Sequence, residues 1–368
     1  MLSKIICLCA AVTLVAGSAL TVLASPRYTI VDLGYFPGNN NAWAINDNGD
    51  TATFRIDSGV NNSKAVYWHN GTPTVVDSLG GWDNRPVGIN NAGQLVGYSS
   101  LADGQIRGYI RYQNQTTILN PISGRYSWAS SINNIGDIAG YCSSSSGLYT
   151  AAVWWGGSTT PSPLGALGGN YTTALAINDA KQVTGASSTG LKDYRGYDIL
   201  HAYRWQNGAM EDLDTLIESA SCVGIDINNS GQVVGRAWNG SHYRAVLWND
   251  DHITELGAIN NGLWSEACGI NNLGQIVGYS DDGARHDHAF LYENGKMLDL
   301  NNLIQANSGW TLSEANAISN TGYIVGHGYV NGSWQDRAFL LVPVPEPPSI
   351  MVLLAGVAGT LAFVRQRM

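Results

Sequence analysis

The chain has 368 residues, of which only 13% are charged against a typical quarter, with 19 basic and 28 acidic side chains and a net charge of −9. Glycine (44 residues) stands well above its usual ~7%, Trp (12) and Tyr (18) are abundant, and Phe and Met number 5 each. This composition excludes a disordered chain and a charge-rich helical protein, favours many short strands with tight turns, and argues against nucleic acid as a partner, because phosphates need a basic face.

At the N-terminus, Lys4 precedes an apolar run over residues 5–23, and Val22-Leu23-Ala24 before Ser25 supplies small residues for cleavage. Residues 1–24 therefore read as a secretory signal. The alternative is an uncleaved anchor, since the run is nearly long enough to span a bilayer. A lone strand-like segment, YTIVDLG (28–34), follows.

The body then repeats one unit seven times. Its core is Ile-Asn-x-x-Gly and a short apolar run ending in Gly: INDNGDTAT (45–53), INNAGQLVG (89–97), INNIGDIAG (132–140), INDAKQVTG (177–185), INNSGQVVG (227–235), INNLGQIVG (270–278) and ISNTGYIVG (318–326). The unit Asn residues (Asn46, Asn90, Asn133, Asn178, Asn228, Asn271, with Ser319 in the seventh copy) are spaced 43 to 50 residues apart and read as structural. Thr53 replaces the last Gly of the first copy, and Lys181 replaces the turn Gly of the fourth.

Each unit parses into four strands. Strand a runs up to Ile-Asn, and strand b follows the Asn-x-x-Gly hairpin turn. Strand c is a basic-Ala-aromatic run such as RAVLW (244–248), and strand d ends in Asp-Leu or Leu-Gly. Strands b and c are almost continuously apolar, so both sheet faces are covered. Four-strand units of ~45 residues with both faces buried predict the blades of a β-propeller. The seventh unit stops after strand c, and the missing strand d is the orphan at 28–34. A ring has a use for that arrangement, because it removes two exposed edges. The expectation is an all-β, closed seven-bladed propeller over residues 27–343; an open stacked β-solenoid is the alternative.

With His288-Ala289-Phe290 complete, and HAY, RAF, RAV or KAV in other copies, the units resemble the extracellular HAF repeat. That resemblance implies an exported bacterial protein and assigns no chemistry.

In antiparallel blades the a–b and c–d turns share one face, and the longer b–c and d–a connections share the other, where recognition is expected. Trp43, Trp82, Trp128, Tyr171, Trp264 and Trp310 recur before the unit Asn, either as platforms for sugar rings or as plugs between blades. Two b–c loops, 187–200 and 280–287, add Asp193, Tyr194, Arg195, Asp281 and His286 as candidate ligand-binding residues. His286-x-His288 offers two imidazoles for a metal, although His288 holds a repeat position that is basic in most copies. Asp47-Asn48-Gly49-Asp50 loosely resembles a calcium loop. No nucleophile motif occurs, and a glycan-cleaving site would need two carboxylates on the loop face, with Asp193, Asp198, Asp281 and Asp282 placed there. No catalytic residue, metal or cofactor is assigned. Cys142, Cys222 and Cys268 form no disulfide framework; Cys222–Cys268 is the one pairing considered, and small buried residues in strands are the other reading.

The C-terminus, residues 344–368, joins Pro345-Glu346-Pro347 to an apolar stretch over residues 350–364 and a basic stop at Arg365 and Arg367. Such a stretch is short for a bilayer but workable as a transmembrane helix with its flanks, and the arginines orient it by the positive-inside rule. This order resembles the PEP-CTERM sorting tail. The resemblance implies processing by an exosortase-like membrane enzyme and delivery to the surface or matrix of exopolysaccharide-making cells. Together these readings predict an exported, non-enzymatic propeller that binds polysaccharide or a protein partner through its b–c and d–a face. A polysaccharide-cleaving enzyme and a spacer without a ligand are the alternatives.

Overall fold

In the computed structural model, residues 26–345 are described apart from 35–40, 58–61, 125, 144–145, 214, 216–219, 251 and 334–335. Residues 1–24, read above as a secretory signal, the apolar stretch over residues 350–364, and Glu346, Pro347, Arg365 and Arg367 lie outside the described residues. Among those described, no helix is long and apolar enough to cross a membrane. Seven four-stranded antiparallel sheets cover 42–76, 80–119, 126–163, 172–212, 222–257, 265–299, and 310–343 completed by 28–32. These are blades 1 to 7.

The seventh blade closes as the truncated last unit requires. Its outer strand, Tyr28–Asp32, pairs along Arg337–Pro343 from Tyr28↔Pro343 to Asp32↔Phe339. Asp32 and Arg337 form an ion pair at 2.5 Å, and the backbone N–H groups of Arg27 and Tyr28 donate to Leu303 O in the connection between blades 6 and 7. Val344 N–H donates to Arg27 O. Both ends of the described chain thus leave side by side from the face that carries the a–b and c–d turns.

The basic-Ala-aromatic triplet of strand c has a physical reading. Its middle residue is buried completely in most blades (Ala65, Ala152, Ala202, Ala245, Ala289), where a larger side chain would collide with the next sheet. Its third residue (Tyr109, Val153, Tyr203, Phe290, Phe339) is the interblade plug, and burying one such ring contributes about 2–3 kcal/mol. Its first residue reaches strand d and meets an acid there: His201–Asp212 at 2.9 Å, Arg244–Glu255 at 3.2 Å, His288–Asp299 at 2.8 Å and Arg337–Asp32.

A second constraint sits at the end of strand a, which stops in every blade at the isoleucine before the unit Asn. Each unit Asn holds its own turn: Asn46 Oδ1 accepts from the N–H groups of Asn48 and Asp50. Its Nδ2 then donates to the carbonyl of the next blade's equivalent, from Asn46→Asn90 O through Asn271→Ser319 O, at 2.8–3.1 Å. The following residue, always Asp or Asn, makes a second circle. The N–H of Asp47, Asn91, Asn134, Asp179, Asn229, Asn272 and Asn320 each donates to Oδ1 of the next in that order, and Asn320 returns to Asp47, at 2.7–3.0 Å. Ser319 has no amide, and Thr321 Oγ1 donates to Asp47 O across that junction instead. Lys181 adopts a left-handed φ of 61° in place of the turn glycine, so the fourth turn keeps its shape.

No disulfide joins Cys142, Cys222 or Cys268, and Cys142 and Cys222 are buried among strand side chains.

Two outcomes are expected. A chain lacking residues 26–33 exposes the strand c edge of blade 7, and it should melt far below the intact chain or associate on size exclusion; an unchanged melt would refute closure by this strand. Asn178→Ala removes a buried turn cap and an interblade donor together, and should lower the urea unfolding free energy by about 1–3 kcal/mol.

Candidate functional site

The seven strand-ending isoleucines, each only 5–9% exposed, converge on the axis and floor the central channel. On the turn side they back a shallow polar depression of about 150 Å³ rimmed by the Asn and Asp circles. On the opposite side lies a cavity of about 750 Å³.

A β-bulge in strand a builds the cavity wall. In every blade the residue three before the unit Asn is skipped by the pairing with strand b. The bulged residues (Trp43, Val87, Ser130, Leu175, Ile225, Cys268 and Asn316) all line the channel. The bulge drives a strand a carbonyl against strand b, which explains the glycine closing the unit core: a Cβ on Gly140 would lie 1.9 Å from Trp128 O. Two residues further out, Arg85, Trp128, Val223, Glu266 and Glu314 form the next layer, and Tyr98, Tyr141, Arg236 and Tyr279 on strand b stand beside them.

These layers divide the wall into three sectors. Blades 1 to 3 present aromatic rings: Trp43, Tyr98, Trp128 and Tyr141. Trp128 stacks on Tyr141 with centroids 5.0 Å apart, and Tyr149 and Tyr171 extend the cluster edge-on. Blades 4 and 5 present Leu175, Val223 and Ile225. Blades 5 to 7 present ionisable groups. Arg236 bonds Glu266 at 2.5 Å. Glu314 lies 3.7 Å from His327, whose imidazole is held toward its neutral form by burial. Burial, then the neighbouring carboxylates Asp287, Glu266 and Asp336, pushes Glu314 up to about 7. Burial likewise raises Asp226 to about 6, against the N–H groups of Ile270 and Ile227 that bond its carboxylate. The Cys268 thiol is pushed well up by burial, which leaves it unreactive.

The aromatic residues singled out in the sequence fall into different environments. Trp43 and Trp128 face the channel. Tyr171 packs edge-on against Tyr149, Trp264 against Tyr279 and Trp310 against Phe339, so these three serve as packing rings. Trp82 lies in strand a of blade 2 and is 59% exposed. Four of the six belong to strand a and not to the preceding loop. The loop expected over 187–200 is largely an extended hairpin, Val183–Lys192 with Asp198–Gln206. At its tip the Asp193 carboxylate accepts from the N–H groups of Arg195 and Tyr197, Tyr194 is exposed, and Arg195 lies over the Tyr194 ring.

Asp281 is fully buried. The N–H groups of Leu263, Arg285 and Gly283 all donate to its carboxylate, which holds its pKa down and leaves it a loop-former. His286 is exposed beside Asp282. The hydrogen bond to Asp299 raises the His288 pKa and engages its Nδ1. Asp47 serves the Asn/Asp circle, and Asp50 bonds Asn46 and His69, so both carboxylates of the calcium-like turn are engaged. The channel residues that sequence reasoning missed, Arg85, Tyr98, Tyr141, Arg236, Glu266, Tyr279 and Glu314, sit at fixed offsets from the unit Asn: five before it or eight after it.

Residues 173–338, blades 4 to 7, match a family described as a protein of unknown function (DUF3466). No curated protein matches the chain. Among solved structures it is similar to the β-propeller domain of the Trilobed protease from Pyrococcus furiosus, at 8% identity and TM-score 0.56 over 83% of this chain and 98% of that one. It is also similar to the acylaminoacyl peptidase of Pyrococcus horikoshii, at 10% identity and TM-score 0.52 over 87% of this chain and 55% of that one. These likenesses carry the fold alone. The first is described as an open velcro topology, whereas here strand pairing closes the ring.

The raised Glu314 carboxyl makes a stability prediction. The folded state keeps its proton where the unfolded state has lost it, so stability falls as pH rises from the usual carboxylate value of 4.5 to about 7. Glu314→Gln should therefore be more stable than the parent near pH 8, by up to about 3 kcal/mol, with no difference near pH 4. Urea titrations at both pH values check it.

Proposed function

We propose that this chain is an exported surface or matrix protein whose propeller binds extracellular polysaccharide in the central channel, on the face of the b–c and d–a connections, without chemistry of its own. The observation that carries this reading is an aromatic wall inside a blind cavity. Trp43, Trp128, Tyr98 and Tyr141 supply ring faces for sugar C–H groups, and Asn316, Ser130 and Arg85 supply hydrogen-bonding partners. The position of the termini supports display. Arg27 and Val344 are hydrogen-bonded on the turn face. A tail of the PEP-CTERM type, handed to an exosortase-like enzyme, would therefore hold that face toward the membrane and the channel mouth away from it.

One observation favours a polysaccharide-cleaving reading as the second choice. Glu266 is paired with Arg236 while Glu314 is shifted toward its neutral form, the kind of split that separates base from acid in glycoside hydrolysis. The release of new reducing ends from polysaccharide of the producing cell would decide for it.

The binding reading predicts that Trp128→Ala weakens affinity for that polysaccharide at least about tenfold, the equivalent of ~1.4 kcal/mol, while Trp82→Ala leaves it unchanged. Calorimetric titration checks this. An equal effect of both variants, or no binding by the parent, would overturn it.

A further inference from the structure

We infer that the channel selects amine-bearing sugars, that is, polysaccharide rich in unsubstituted 2-amino-2-deoxyhexose. The inference rests on the polysaccharide reading above and specifies its ligand.

The charges of the two walls are unequally matched. In the aromatic sector the cation is already matched: Arg85 bonds Asp83 at 3.0 Å and lies 5.3 Å from the Phe54 ring centroid. In the ionisable sector Arg236 is matched by Glu266. Among the described residues no lysine or arginine pairs with Glu314. Its ion-pair contact is His327 at 3.7 Å, and burial holds that imidazole toward its neutral form. His327 Nδ1 also lies 3.0 Å from Asn41 Oδ1. The other ionisable groups acting on Glu314 come from each packed neighbour: Glu266 on strand a of blade 6, Asp287 on strand c of blade 6, and Asp336 beside strand c of blade 7. All are carboxylates. The protein thus keeps a half-buried carboxyl in a cavity wall with anionic neighbours and, among the described residues, no lysine or arginine beside it.

A neutral sugar does nothing for that carboxyl. A protonated amine on a sugar supplies the missing cation, donates up to three hydrogen bonds and brings Glu314 into its ionised form. The same sugar ring keeps its C–H face for the aromatic sector. N-acetylation removes the charge and adds bulk, so the acetylated sugar retains the stacking and loses the ion pair. An acidic sugar meets repulsion at this wall and is disfavoured. A flexible lysine chain would satisfy the carboxyl alone and would leave the aromatic wall unused, which is why the sugar is the better fit.

The test uses the purified full-length chain and four defined probes at neutral pH: the β-1,4-linked glucosamine hexamer, its fully N-acetylated form, cellohexaose and hexalysine. The glucosamine hexamer should bind at least about tenfold more tightly than the other three. Glu314→Gln should bring the two amino-sugar hexamers to parity, Trp128→Ala should weaken both, and Asp103→Asn, a change of equal charge in the exposed turn between strands b and c of blade 2, should alter neither. Equal affinity for the three sugars would overturn the amine preference and leave polysaccharide binding standing. Hexalysine binding as tightly as the glucosamine hexamer would assign the site to a basic peptide and overturn the sugar assignment. Loss of preference in Asp103→Asn as well would mean attraction by net charge only, against the proposal. Binding of none of the probes would overturn both readings.

Discussion

The fold depends on a circular hydrogen-bond relay at the end of strand a. Each turn satisfies its own backbone through the unit Asn side chain, but that side chain's amide and the next residue's N–H have their partners in the following blade. A buried donor left without an acceptor costs about 1–3 kcal/mol. An open array would leave the Asn320 and Thr321 donors unmet at one end and the Asp47 acceptors at the other, and the closed ring joins them. Asp47 and Asp179 refine the circle: each carboxylate accepts from the amides of both neighbours, Asn320 and Asn91 for the first, Asn134 and Asn229 for the second. The paired strand Tyr28–Asp32 performs the same closure at the outer rim.

Scaffold and site are separated within each unit. The turn, the closing glycine and the strand c Ala and aromatic residue answer to the packing of neighbouring blades and recur. The bulged residue of every blade, and in several blades the residues five before and eight after the unit Asn, face the channel, and they differ from blade to blade. Aromatic side chains collect in blades 1 to 3 and ionisable ones in blades 5 to 7. Sevenfold architecture thereby carries a one-sided pocket.

Histidine illustrates how position decides chemistry. His288 and His327 lie in neighbouring blades. The first gains a carboxylate partner in Asp299, which raises its pKa; the second is buried beside an amide and shifts the opposite way. Nothing in the identity of the residue separates the two cases.

Blade number, strand parsing, the hairpin turn and closure by the leading strand were legible in the chain, because each is a local pattern repeated at a fixed period, and the orphan strand exactly complements the truncated seventh unit. The structural role of the unit Asn was legible too, although its acceptor, a carbonyl some 43 to 50 residues away, was not. The lining of the channel was read less well. Trp43 and Trp128 were picked out with Trp264 and Trp310, which pack instead, and Arg236, Glu266 and Glu314 were overlooked. Periodicity reports which residues recur, whereas the lining of the pocket consists of those that do not. Only the tertiary structure decided which variable side chains share a cavity, because that depends on a bulge that turns one residue per blade inward and on a ring that brings residues hundreds of positions apart to a common axis.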